Sequence, residues 1–300
     1  MLKIAYHPIY EYSLPLGHRF PMGKYPMLHW QLLHEGTCTA SNFFEPEHPN
    51  VSHILEVHSQ AYFENLSNLT LDKRAARKIG FPLSNILVER ELIIADGTIK
   101  ASEYALEYGI AMNIAGGTHH AYTDHGEAFC LLNDQAIGAR YLQKMGLAKK
   151  ILIVDLDVHQ GNGTAEIFTD DTSVFTFSMH GKSNYPFKKE LSDLDIALED
   201  KSDDITYLAL LKETLPKLIT KVQPDFIYYL SGVDVIATDK LGKLSLSIEG
   251  CKERDRFVLQ SCKDRNIPVM CSMGGGYSPD IKTIVNAHAN TYRLAQNIFF

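Results

Sequence analysis

The sequence lacks what would place it in a membrane, outside the cell or on nucleic acid. No run of 18 apolar residues occurs among its 300, which excludes a transmembrane helix. Met1-Leu2-Lys3-Ile4-Ala5-Tyr6-His7-Pro8 breaks too early for the apolar region of a signal peptide. Cysteine is scarce and odd in number. Cys38, Cys130, Cys251, Cys262 and Cys271 form no CxxC pair and read as reduced, mostly buried thiols of a cytoplasmic protein. Positive charge is in deficit: 29 Lys and Arg against 36 Asp and Glu leave a net charge of −7, the wrong sign for a nucleic-acid partner. A basic partner would meet a mildly favourable field. No linker rich in Pro, Gly or Ser, no low-complexity tract and no repeat divides the chain. With 45% hydrophobic and 22% charged residues it reads as one domain over residues 1–300. Nothing in it sets an oligomeric state.

Short apolar runs predict strands at Ile4–Tyr6, Ala111–Ala115, Ile151–Val154, Val174–Phe177, Phe226–Leu230 and Pro268–Cys271. Segments of helical period lie between them. Val51, Ile54, Leu55, His58 and Tyr62 share one face; Ile137, Tyr141, Leu142 and Met145 share another. Tyr207 to Val222 forms a third helix, with a kink expected at Pro216, and Ile281 to Ala295 a fourth. Strands alternating with helices predict an α/β fold: an open parallel sheet flanked by helices on both faces.

The residues after the strands carry the chemistry. Ile151–Val154 runs into Asp155-Leu156-Asp157-Val158-His159-Gln160-Gly161-Asn162-Gly163. Carboxylates are almost never fully buried unless paired or bound to a cation. Alternation along an extended segment puts Asp155, Asp157 and His159 on one side. The other strands lead to Gly116-Gly117-Thr118-His119-His120, Ser178-Met179-His180, Ser231-Gly232-Val233-Asp234 and Ser272-Met273-Gly274-Gly275-Gly276-Tyr277. Ligands of open α/β sheets bind at these strand ends. Asp157, His159 and Asp234 make a mixed oxygen and nitrogen donor set with room for water and substrate, suited to Zn(II), with Fe(II) as the alternative. Asp155 would stand behind it. His119 and His120 offer an acid and a base side by side, and Tyr277 a phenol for a developing oxyanion. The remaining histidines read as surface, helix or packing residues, with His180 intermediate.

These segments, with Ala128-Phe129-Cys130-Leu131-Leu132-Asn133-Asp134, closely resemble the zinc-dependent histone deacetylase family of the arginase–deacetylase superfamily. The likeness runs from about Ile4 to Leu294, and its wording is most like the class IV branch and its bacterial relatives. The resemblance implies hydrolysis of the amide of an acyl-lysine, acetyl or longer fatty acyl, in a peptide, protein or small acylated amine. It implies Asp157, His159 and Asp234 as zinc ligands, His120 as the general base for the attacking water and His119 as its partner, backed by Asp155. Tyr277 would polarise the carbonyl. Phe129 and Gly275 would contact substrate, with Tyr185 or Phe187 on the opposite wall. Asp155, Asp157, His159, Ser178 and Met179 match positions around a structural monovalent cation, usually potassium; Phe168 and Val174 match backbone ligands of a second.

Three positions depart from the family pattern. Asn162 stands where many members have Asp, so His120 is expected to lack a carboxylate partner and to stay neutral. Ala128 stands where glycine is common, and Lys24 in place of an inner-channel arginine. The rival readings are an acetylpolyamine amidohydrolase, a binuclear manganese ureohydrolase, for which carboxylates are too few, and a catalytically silent acyl-lysine binding module.

Overall fold

The computed structural model describes all 300 residues. Eight strands form one sheet: β1 (Lys3–Ala5), β2 (Phe43–Phe44), β3 (Ile110–Asn113), β4 (Ile151–Asp155), β5 (Val174–Gly181), β6 (Leu194–Leu198), β7 (Phe226–Leu230) and β8 (Val269–Ser272). All pairings are parallel, in the order β2-β1-β3-β8-β7-β4-β5-β6. Parallel neighbours need long crossovers; of ten helices, nine lie between strands and the last follows β8. They are α1 (Lys24–His34), α2 (Val51–Ile54), α3 (Gln60–Ser67), α4 (Lys73–Ile79), α5 (Asn85–Tyr108), α6 (Asp134–Lys144), α7 (Asn162–Ile167), α8 (Asp204–Val222), α9 (Ile248–Asp264) and α10 (Ile281–Phe299). Two adjacent tyrosines of β7 show helices on both faces. The Tyr228 hydroxyl meets Ser102 Oγ of α5 at 2.8 Å, and the Tyr229 hydroxyl donates to Asp255 Oδ1 of α9 at 2.5 Å. Successive strand side chains point to opposite faces, so the open parallel sheet expected from the sequence is the one found.

Strand order decides where the site lies. The chain passes from β3 to β4 over two positions that β7 and β8 fill later. The carboxyl ends of β3, β8, β7 and β4 therefore stand side by side, at the kind of crevice where open α/β sheets bind ligands.

Some elements differ from the sequence reading. The strands β2 and β6 were not expected; both are edges, one only two residues long and the other mostly half-buried. Ser178-Met179-His180 lies within β5, which runs on to Gly181. The stretch Val51 to Tyr62 is two helices, because Ser59 Oγ accepts from Tyr62 N and starts α3. Pro216 sits inside a helix that continues to Val222. The helix α5 carries buried residues on several sides and so shows no single apolar stripe. The stripe of α9 contains Arg254 and Asp255, which hides it from a hydrophobicity pattern.

That buried pair holds the site's backbone. Arg254 Nη1 donates to the carbonyls of Leu156, at 3.0 Å, and Gly232, at 2.6 Å, while its Nε donates to Asp255 Oδ1 at 2.8 Å. One guanidinium thus ties the segment carrying Asp157 to the segment carrying Asp234. Asp255 also accepts from Tyr229 and, at 2.7 Å, from Thr291. Arg254→Gln should strand a buried carboxylate and lower the unfolding free energy by about 3–5 kcal/mol. Urea denaturation measures this, and a loss below about 1 kcal/mol would refute the clamp.

Candidate active site

Beyond β4 the chain is not extended, contrary to the simple alternation argument. It makes two successive side-chain turns: Asp155 Oδ1 accepts from Asp157 N at 3.1 Å, and Asp157 Oδ1 accepts from His159 N at 3.0 Å. The turns still bring Asp157 and His159 onto Asp234 from the end of β7. Ligand atoms of all three lie within 4.8 Å of one another. Asp234 Oδ1 accepts from Val158 N, and Asp157 Oδ2 from Gly275 N at 2.9 Å. His159 Nδ1 lies 3.0 Å from Asp157 Oδ1 and 3.3 Å from Asp234 Oδ2. Gly275, expected to contact substrate, has its N–H engaged by a site carboxylate.

These residues fit a divalent cation. Asp234 Oδ2 is buried and accepts no hydrogen bond, with only the His159 imidazole, 3.3 Å away, to offset its charge, which is costly for a carboxylate. Glycine keeps the space open. A Cβ on Gly275 would lie 2.0 Å from Asp234 Oδ2, and one on Gly232 would lie 2.2 Å from Asp157 Oδ2. Burial and the neighbouring Asp157 raise the Asp234 carboxyl to about 7. Burial opposes a charged His159, yet its bonds to Asp157 and Asp234 prevail and lift it to about 10.

The two adjacent histidines have opposite settings. Their rings are 4.1 Å apart. His119 Nδ1 donates to Asp155 Oδ2 at 2.6 Å. Burial disfavours the charged ring, but Asp155 outweighs it and raises His119 above its usual range. His120 Nδ1 instead meets Asn162 Oδ1 at 2.5 Å. The amide's orientation is fixed because Asn162 Nδ2 donates to the Tyr122 hydroxyl at 2.9 Å. His120 therefore carries its proton on Nδ1 and leaves Nε2 free. Burial, then the charges of His119 and His159, push it well below the usual histidine value.

Aromatic rings line the approach. Phe129 packs against Phe20, Phe81 and Tyr277, with centroids 5.2, 5.0 and 6.2 Å away. The Tyr185 ring meets His120 edge-on at 5.0 Å and its hydroxyl bonds Glu127, whereas Phe187 is almost fully exposed. Tyr185 is therefore the inner wall and Phe187 lies at the mouth. The Tyr277 hydroxyl makes no hydrogen bond within the chain, and burial, then the charges of Asp234 and Asp157, hold it protonated. Ala128 has φ +44° and Phe129 φ +70°; the left-handed region explains why glycine suits position 128 and costs alanine about 1–2 kcal/mol.

Behind the ligands lies a cavity of about 50 Å³ bounded by Phe20, Tyr25, Phe81, Arg90 and Ile94, among others. Lys24 is buried beside it, donating to the Gly274 carbonyl at 3.1 Å, while Arg90 faces the cavity. Asp155 and Ser178 are register partners on β4 and β5, though the Ser178 hydroxyl bonds His180 Nδ1 at 3.0 Å.

Other positioning residues went unread in the sequence. His58 is buried, accepts from Asn133 N at its Nε2 and donates from Nδ1 to the Tyr122 carbonyl, each at 2.9 Å. It joins the loop after His120 to the segment before α6. Asp134 accepts from Thr98, Thr118 and Ser272 and fastens the Gly116-Gly117 turn. The sequence marks His58 only as a helix-face residue and Asp134 only as part of a family segment; their positioning roles are hidden because their partners are distant in sequence.

Residues 18–292 match the family described as the histone deacetylase domain. An uncharacterized protein of Picosynechococcus sp. is 44% identical over 296 residues, 99% of both chains. Histone deacetylase 2 of Arabidopsis thaliana is 30% identical over 291 residues, covering 92% of this chain and 74% of its own. The crystal structure of the HDA15 HD domain shares the fold, with a TM-score of 0.79 at 18% identity over 96% of this chain and 89% of that one.

A cation entering the trio must displace a proton. His159 titrates near 10 and Asp234 near 7 without metal, so near neutral pH the site holds at least one proton. Zn(II) added to metal-free protein should release about one proton or more at pH ~7, and its affinity should fall as pH drops. Calorimetry in buffers of different ionisation enthalpy measures this. Binding without proton release would refute the assignment, as would an Asp234→Asn protein that binds zinc unchanged.

Proposed function

The chain belongs to the histone deacetylase family, and on that premise we propose that it hydrolyses the amide of an acylated lysine side chain as one catalytic domain. The observation that carries this reading is the pair of touching histidines held in opposite protonation settings beside the ligand trio. Environment, not residue type, divides acid from base here. Asp157, His159 and Asp234 would hold the cation, zinc by donor type with iron(II) as the alternative. When bound, such an ion lowers the pKa of water and polarises a carbonyl.

His120 accepts the proton of the attacking water at Nε2 as the oxygen bonds to the amide carbon. The Tyr277 hydroxyl donates to the carbonyl oxygen as it becomes an oxyanion. His119, kept cationic by Asp155, stabilises that charge and supplies the proton with which the lysine amine leaves. The products are a carboxylate and a free amine. Phe129 and Tyr185 hold the extended side chain between them. The cavity of about 50 Å³ behind the ligands suits acetyl better than a long fatty chain. The same family reading assigns a structural potassium ion to the junction of β4 and β5, near Asp155, Asp157, His159, Ser178 and Met179. Five buried free thiols suit a cytoplasmic setting.

Zinc-reloaded protein should deacetylate an acetyl-lysine peptide faster than its butyryl, octanoyl or myristoyl counterparts. His120→Ala should lower kcat by about 10²–10⁴-fold and Tyr277→Phe by about 10²–10³-fold. Turnover that survives His120→Ala would overturn the mechanism.

The pH profile tests the Asn162 contact. His120 must be neutral to act, so activity falls as pH drops through its depressed pKa. A carboxylate at position 162 favours the imidazolium and raises that pKa. Asn162→Asp should therefore move the acidic limb of the profile upward by about one unit or more. An unchanged limb would show that Asn162 does not set the base.

A further inference from the structure

The outer mouth of the site is cationic although the whole chain carries −7. A cavity of about 370 Å³ opens from His120, His159 and Tyr277 to solvent, and Arg19, Lys78 and Lys243 line it. No Asp or Glu is among the lining residues. Lys78 is matched by Glu127 at 2.8 Å, and Glu127 is itself held ionised, at about 2, because the bonds from His125, Lys78 and Tyr185 outweigh burial. The other two cations are free of such a match. The Arg19 guanidinium lies over the outer face of Phe129, 4.9 Å from its centroid, and forms no ion pair. Lys243 Nζ donates to Ser183 O at 3.1 Å and Ser183 Oγ at 3.0 Å. Its link to an acid is indirect, through the Ser183 hydroxyl that bonds Asp200.

We propose that this rim selects acyl-lysine in an acidic context, with a carboxylate placed a few atoms from the scissile amide. The inference rests on the deacylase reading and names its substrate class. An acylated amine is itself uncharged, so charge discrimination must come from groups beside it. Those groups stay at the mouth while the acyl-lysine stem occupies the aromatic passage. Arg19 and Lys243 are both exposed, and Arg19 is anchored by Phe129 and Lys243 by Ser183, which leaves their charge outward at a defined place. A concave, single-sign mouth focuses its field on what enters. Acetylated polyamines and lysine-rich tails bring positive charge to a positive rim. The mildly favourable field for basic partners that the net charge suggests does not reach the entrance.

The test uses zinc-loaded protein and three acetyl-lysine peptides of equal length, flanked by Asp and Glu, by Ser and Gly, or by Lys and Arg. Acetylspermidine serves as the small cationic probe. KM should rise from acidic to neutral to basic by about three- to tenfold per step at low salt, with kcat changing less. The spread should shrink at about 0.5 M NaCl. The Arg19→Gln, Lys243→Gln double variant should bring the acidic and neutral peptides together. Equal kcat/KM for all three peptides, or a preference for the basic peptide or acetylspermidine, would overturn the rim while leaving the deacylase intact. Binding of the same peptides to the His120→Ala holoenzyme reads the rim without turnover. A ranked affinity with no hydrolysis by the parent protein would support the rim and sink the deacylase reading; unranked binding would overturn the rim.

Discussion

Three carboxylates, Asp155, Asp157 and Asp234, are buried together where the carboxyl ends of β4 and β7 meet, and the chain supplies too little positive charge to balance them. His119 answers Asp155, and His159 is shared between the other two. Lys24 lies within their field, but burial lowers it to about 8 and its hydrogen bond goes to the Gly274 carbonyl. One oxygen of Asp234, 3.3 Å from His159 Nδ1, accepts no hydrogen bond. Charge this deeply buried must be relieved by a proton or by a cation, and the raised Asp234 carboxyl shows the strain when no cation is there. The glycines at 232 and 275, which keep side-chain atoms out of that volume, follow from the same need.

The surrounding fold keeps the site from relaxing that charge. Arg254 is buried on α9 and could have neutralised a carboxylate of the trio, yet its Nε and Nη2 face Asp255 and its Nη1 donates to two backbone carbonyls. It therefore fixes the positions of Asp157 and Asp234 without competing for them. Asp134 does the same for the turn before His119, and His58 for the loop after His120. Each holds a main-chain atom of these loops and makes no hydrogen bond to the side chains of Asp157, His159, Asp234 or His120.

Charge in this protein works on separate scales. Within a few ångströms, a carboxylate behind one histidine and an amide behind its neighbour give two otherwise identical imidazoles opposite protonation preferences. At the mouth, two unmatched cations set the sign that an arriving substrate meets. Over the whole surface the sign is opposite. A net charge averages over these scales and predicts neither.

The sequence alone pointed to the sheet and to the three side chains that the fold brings together. Apolar runs ending in Asp, His, Gly and Tyr are local signals, because strand burial and loop chemistry act on neighbouring residues; six of the eight strands and the trio Asp157, His159 and Asp234 could be read that way. The edge strands β2 and β6 and the helices α5 and α9 could not, since β2 is only two residues, Asp195 breaks the apolar run of β6, and a helix buried around a charged pair lacks a stripe. The chemical settings of His119 and His120 depended on Asp155 and Asn162, 36 and 42 residues away, and on Tyr122 turning the Asn162 amide. The choice of Tyr185 over Phe187 as the inner wall, the Arg254 clamp and the cationic mouth likewise came from contacts between distant segments. Only tertiary structure decided these, because hydrogen bonds, burial and fields depend on distance in space, and the skipped crossover from β3 to β4 fixes which distant residues become neighbours.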